Sequence, residues 1–116
     1  MVKARVSGIA IDCPDSAALC AFYAALLDIE AVNEGLMIAG NENGGVEVWF
    51  QQVENYVPPT WPSQERGQQL HLDFECEDRN EMIQRAIDLG AKKMGDERNF
   101  TVMLDPAGHP FCLCDR

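Results

Sequence analysis

Side chains able to bind ligands or move protons recur at every second position in three stretches of this 116-residue chain. Glu47, Trp49 and Gln51 alternate with Val46, Val48 and Phe50. His71, Asp73 and Glu75 alternate with Leu70, Leu72, Phe74 and Cys76, and Cys112 and Cys114 share one side of a third stretch. Successive strand residues point to opposite faces, so this period of two sends the apolar set into a core and the polar set to the other face. On that face Glu47 offers an acceptor or counter-charge. Trp49 offers a flat apolar ring, and His71 a donor or acceptor. The pattern reads either as the lining of a ligand cleft or as the solvated face of a half-exposed sheet.

Trp61 lies between Pro59 and Pro62 and must either cap the core or face a groove. In a groove it would join Trp49, Glu47, Asp73 and Glu75 in an aromatic, acidic surface suited to a flat or cationic organic ligand. His109, in the turn Gly108-His109-Pro110, is expected to hydrogen-bond backbone or solvent rather than a metal. Cys112-x-Cys114 has no neighbouring Cys or His at ligand spacing and reads as two small strand residues. Thiol catalysis would need Cys112 and His71 to meet in space.

The elements that position these residues follow from periodicity. Arg5–Asp12 has β-branched, strand-like content, and Cys13-Pro14-Asp15 breaks it. Asp15 is a natural N-cap for a helix over Ser16–Leu27, whose Leu19, Phe22, Tyr23, Leu26 and Leu27 fall on one face, and Asp28 ends it near the left-handed region. Short strands are expected at 29–32 and 36–39, a turn at 40–45 and a stronger strand at 46–53. After a proline-rich linker the order restarts with a strand over 69–76, Asp78, and a helix whose Met82, Ile83, Ala86, Ile87 and Leu89 share a face before Gly90. Strands at 91–94, 100–104 and 110–114 complete it, with Asp105-Pro106-Ala107-Gly108 as a turn. The order β-α-β-β-β thus occurs twice, an internal duplication of modules of about 55 residues, spanning about 4–54 and 68–115 of a single domain over residues 1–116. The fold class is α+β, the modules forming a curved mixed sheet around a cleft with helices outside.

The series Asp15, Phe22-Tyr23, Leu26-Leu27, Gln69-Leu70-His71-Leu72-Asp73, Leu89-Gly90-Ala91 and Asp105-Pro106-Ala107-Gly108-His109-Pro110-Phe111-Cys112-Leu113 resembles the glyoxalase-like domain of the vicinal oxygen chelate superfamily. That group includes glyoxalase I, extradiol dioxygenases and bleomycin-binding proteins. The likeness covers nearly the whole chain. It implies paired modules cupping a cleft, in which enzymes of the superfamily hold a divalent metal through side chains of four strands. Carried over by position, the first-strand ligand falls on Gly8, the fourth-strand ligand on Glu47, the fifth-strand His on His71 and the last-strand ligand on Cys112.

Gly8 has no side chain and Cys112 stands where a carboxylate is usual, which argues against an iron dioxygenase. A metal site of Glu47, His71 and Cys112 with zinc, nickel or a similar divalent ion would support a glyoxalase-type lyase. The leading expectation is instead a small-molecule binder similar to the metal-free, bleomycin resistance-like branch. Its ligand-binding residues would be Glu47, Trp49, His71, Asp73 and Trp61. A non-catalytic interaction module is the third reading. Members of this size usually build each cleft with a second chain, so a homodimer is implied.

Bulk composition narrows the partners. A formal net charge of −10 argues against nucleic acid and anionic membranes, because phosphate binding depends on Lys and Arg. Five cysteines, an odd number without C-x-x-C pairing or a secretory leader, fit reduced thiols in a cytoplasm.

Overall fold

The computed structural model describes residues 2–33, 37–38 and 45–116. The chain divides into two compact units, Met1–Tyr56 and Val57–Arg116. Each has the order β-α-β-β-β.

In the first unit, β1 (Gly8–Cys13) leads into α1 (Ser16–Leu27), followed by β2 (Ala31–Val32), β3 (Met37–Ile38) and β4 (Glu47–Gln52). The Asp15 carboxylate accepts the Ala18 N–H at 3.0 Å, satisfying one of the donors a helix start leaves open. Asp28 ends the helix at φ 54°, ψ 50°, the left-handed cap expected of it. The buried stripe of α1 comprises Leu19, Cys20, Phe22, Tyr23 and Leu26, and Tyr23 stacks on Phe50 of β4 with centroids 5.6 Å apart. The sheet order is β1-β4-β3-β2, with β1 parallel to β4 and the other pairs antiparallel. Burial in β4 alternates as the residue types require: Val48 and Phe50 are buried, whereas Trp49 is 38% exposed.

The second unit repeats this with β5 (Leu72–Cys76), α2 (Arg79–Asp88), β6 (Lys92–Asp96), β7 (Phe100–Leu104) and β8 (Pro110–Asp115) in the order β5-β8-β7-β6. Asp78 caps α2 through the Glu81 N–H at 3.1 Å, and Gly90 follows the helix at φ 110°. The helix-side core of this sheet holds Thr101, Met103, Phe111 and Leu113, all fully buried. Phe74 meets Phe111 edge to face at 6.0 Å. Among the described residues, no helix is long and apolar enough to cross a membrane.

One interval relates the two units. Asp15 and Asp78, Glu47 and Pro110, and Trp49 and Cys112 each differ by 63 positions (78 − 15, 110 − 47, 112 − 49). The duplication therefore keeps phase through caps and central strands.

Strand limits differ from the sequence expectation where a ladder partner sets them. β1 begins at Gly8 rather than Arg5 because β4 begins opposite, at Glu47. β5 begins at Leu72 rather than Gln69 because its ladder starts opposite Phe111, leaving His71 one residue ahead of the strand. β6 runs on to Asp96 across a bulge between Lys93 and Gly95. The expected strand at 36–39 is seen at Met37–Ile38; its flanks and residues 40–44 of the expected turn lie outside the described residues.

The turn after β7 is built around Asp105, which is 4% exposed and accepts the N–H groups of Ala107 and His109 at 2.9 and 3.0 Å. Beside it, Gly108 has φ 90°, and a Cβ there would meet Pro58 Cβ at 2.9 Å. Gly108→Ala should thus cost about 1–3 kcal/mol, through left-handed strain and the displaced proline. Gly95→Ala, with nothing within 4 Å of its Cβ, should change stability by no more than about 0.5 kcal/mol. Urea unfolding of the two variants measures the difference.

Candidate functional site

In the first unit, the parallel ladder pairs Gly8 with Glu47 and Ala10 with Trp49, setting all four on the sheet face away from α1. The Trp49 indole leans back over Gly8: a Cβ at position 8 would lie 3.5 and 3.6 Å from its Cδ1 and Nε1 and 3.2 Å from the Glu47 carbonyl oxygen. A Cβ there would be in ordinary contact with the ring and tight against the Glu47 carbonyl. Glu47 is half-buried beside it.

In the second unit, the same ladder pairs Asp73 with Cys112 and Glu75 with Cys114. His71 Nε2 lies 3.2 Å from Asp73 Oδ1, and ligand atoms of His71, Asp73 and Cys112 all lie within 4.8 Å of one another. The His71 and Asp73 side chains are 40% and 63% exposed, whereas Cys112 is 8% exposed. The Cys112 thiol is pushed up to about 11, first by burial, then by the charges of Asp73 and Cys114 and by its hydrogen bond to Asp73. Burial, followed by the Asp73 charge, also raises Cys114. A thiol held protonated beside a carboxylate is a poor nucleophile at neutral pH, so the Cys112–His71 proximity does not make a catalytic dyad.

The structure thus unites His71, Asp73 and Cys112 in the second unit, and Glu47 and Trp49 in the first. Trp61 is half-buried in a loop that closes on itself, where the Arg66 N–H reaches Thr60 Oγ1 at 2.9 Å and Arg66 Nε reaches the Pro58 carbonyl at 3.2 Å. His109 is outside the His71 cluster, its N–H bound by Asp105. A shallow concavity next to the end of β4, lined by Pro14, Gln52 and Tyr56, includes none of the expected site residues. Sequence reasoning did not foresee Asp73 joining His71 and Cys112, or Trp49 covering Gly8. The signal was present: adding 63 to Gly8, Ala10 and Trp49 gives His71, Asp73 and Cys112.

The four-strand metal set implied by the sequence resemblance can be tested against these residues. Gly8 contributes no donor, and the register counterpart of Cys112 is Trp49, whose indole cannot ligate; the counterpart of Glu47 is Pro110. In the first unit's half of that set, Glu47 is the residue with a side chain able to ligate a metal, and Gly8 has none.

The thiol shift has a measurable consequence. Cys112 alkylation should be slow at neutral pH and rise about tenfold per pH unit as the solution approaches its value of about 11. Asp73→Asn removes the negative charge that favours the protonated thiol, so it should lower that value and speed alkylation at fixed pH. Peptide mass spectrometry reads both rates. An unchanged rate in the variant would leave burial and Cys114 as the causes.

Comparison with known proteins supports this architecture. The family model of the glyoxalase-like domain matches residues 8–114. No curated protein sequence matches the chain significantly. Among solved structures, the chain is similar to a glyoxalase/bleomycin resistance protein/dioxygenase family enzyme from Burkholderia phytofirmans, with 18% identity, a TM-score of 0.75 and coverage of 97% of this chain and 98% of that one. It is also similar to the trypanothione-dependent glyoxalase I of Leishmania major, with 14% identity, a TM-score of 0.72 and coverage of 97% and 87%. A glyoxalase-related enzyme from Fulvimarina pelagi shares 17% identity at a TM-score of 0.69, with coverage of 97% and 88%. At these identities the structural likeness is one of fold. With a family model spanning all but the chain ends, the protein belongs to the glyoxalase-like domain family of the vicinal oxygen chelate superfamily.

Proposed function

We propose that this protein binds a small organic molecule, flat and aromatic or cationic, against the open sheet face of its first unit, without a resident metal. One observation carries the reading: an indole stands over Gly8, where the second unit has a histidine 63 residues on, just ahead of its strand. Trp49, 38% exposed, presents a rigid apolar surface with little side-chain entropy to lose, and Glu47 beside it supplies a counter-charge. A formal net charge of −10 further favours cationic partners over anionic ones. The Burkholderia neighbour carries a family name that joins bleomycin resistance proteins to glyoxalases and dioxygenases, and binding suits the Trp49 face better than metal-assisted chemistry.

The same reading includes a homodimer, since β6 is exposed along its whole length and strand edges of this kind favour covering. Its five unbridged cysteines suit a reducing compartment such as the cytoplasm.

A calorimetric or fluorescence screen of basic aromatic compounds tests the binding site. Trp49→Ala should weaken binding by about 1–3 kcal/mol without unfolding the domain, as expected for a central aromatic anchor. Glu47→Gln should weaken cationic ligands selectively. Equal affinities across wild type and both variants would place the ligand elsewhere. One tightly held metal per purified chain would favour a glyoxalase-type lyase. Light scattering tests the dimer independently, against a chain mass of 12.9 kDa.

A further inference from the structure

Adding 63 to Ser16 and Gln52 gives Arg79 and Asp115 (79 − 16, 115 − 52), and each pair ties the start of a helix to the end of the last strand of its unit. In the first unit the tie is neutral: the Ser16 N–H donates to Gln52 Oε1 at 3.3 Å. In the second it is ionic. Arg79 Nε lies 3.3 Å from Asp115 Oδ1, and Nη1 and Nη2 donate to the carbonyls of Glu97 and Arg98, each at 3.3 Å. One guanidinium thereby joins α2, the end of β8 and the turn between β6 and β7. We propose that α2 is a releasable helix and Arg79 its ionic latch, so that rising ionic strength opens the second unit locally while the first stays closed.

Three observations lead there. A cation in the first turn opposes the helix dipole, so Arg79 favours α2 only through the partners it holds. Apolar packing, which secures α1 through Leu19, Cys20, Phe22, Tyr23 and Leu26, is thin under α2: only Ala86 is buried, and Ile87 and Leu89 are 41% and 37% exposed. Few buried apolar contacts and exposed hydrogen bonds mark the segments that open first in a fold. Finally, the latch lies where mobile ions reach it, with the Arg79 and Asp115 side chains 21% and 47% exposed.

Release would uncover the helix side of the sheet, where Thr101, Met103, Phe111 and Leu113 are fully buried, without parting the strands. Salt has no comparable lever on the first unit, because the Ser16–Gln52 tie carries no charge. The latch stands independently of the organic ligand and of the homodimer proposed above.

Hydrogen–deuterium exchange of the full-length protein, read by peptide mass spectrometry, tests it. Raising sodium chloride from about 0.01 M to about 1 M shortens the screening length from ~30 Å to ~3 Å. In wild type this should speed exchange of α2 and of residues 97–99 about tenfold and leave α1 unchanged. Arg79→Gln should exchange at low salt as wild type does at high salt, and should lose the salt response. Asp115→Asn, which keeps both carbonyl contacts, should fall between the two. Glu77→Gln removes the more exposed pair with Arg116 and should leave both segments as in wild type. Salt-independent exchange in wild type, unaltered exchange in Arg79→Gln, a salt response surviving in that variant, or equal acceleration of α1 would each overturn the latch. Circular dichroism checks each fold; should Arg79→Gln not fold, Asp115→Asn decides, and exchange identical to wild type in it refutes the proposal.

Discussion

In each unit the first strand runs parallel to the last, β1 on β4 and β5 on β8, with the connecting chain folded over one side of the sheet. A parallel pair cannot be closed by a tight turn and needs a long crossover, which here includes the helix. That crossover buries one face of the central ladder under α1 or α2 and leaves the other for chemistry. The apolar alternation of Val48 and Phe50, or of Phe111 and Leu113, allows one register only, because a slip of one residue would send this set to the open face. Which polar side chains meet on the open face depends on that constraint.

Duplication then presents the same geometric positions twice, and the side chains on them have diverged. Small residues in β1 leave space that the Trp49 indole covers. Larger polar residues beside β8 bring His71, Asp73 and Cys112 together. The helices diverged as well: α1 has no charged residue and buries a broad stripe, whereas α2 carries Arg79, Glu81, Arg85 and Asp88 and buries only Ala86 fully. A helix as apolar as α1 draws its stability from packing, as in the Tyr23–Phe50 stack. The second unit relies more on its sheet, where Thr101 reaches Asp96 at 2.7 Å across the β6–β7 pair.

The open faces also differ electrostatically. On the second unit, Asp73 and Glu75 lie opposite Cys112 and Cys114, and negative charge beside a thiol disfavours thiolate. This disfavours nucleophilic sulfur chemistry at neutral pH. On the first unit an aromatic ring, Trp49, stands beside Glu47 in place of such a group of donors.

Much of this was legible in the sequence, because local rules govern it. Asp15 and Asp78 cap helices as their side chains allow, Asp28 and Gly90 take the left-handed conformations required after a helix, and alternation divided core from open face within β4 and β5, whereas Leu70, expected in the core but lying ahead of β5, is 47% exposed. The family resemblance, carried by the ordered series from Asp15 to Leu113, supplied the paired modules that the fold and the family match bear out. Strand limits were less legible, since β1 and β5 begin where a partner strand begins, and a partner distant in sequence leaves no local signal. The meeting of His71 with Asp73 and Cys112, and the fit of Trp49 over Gly8, belong to the tertiary structure. Alternation assigns a residue to a face; only the register between strands 39 positions apart, such as Gly8 and Glu47 or Asp73 and Cys112, decides which neighbours it touches there.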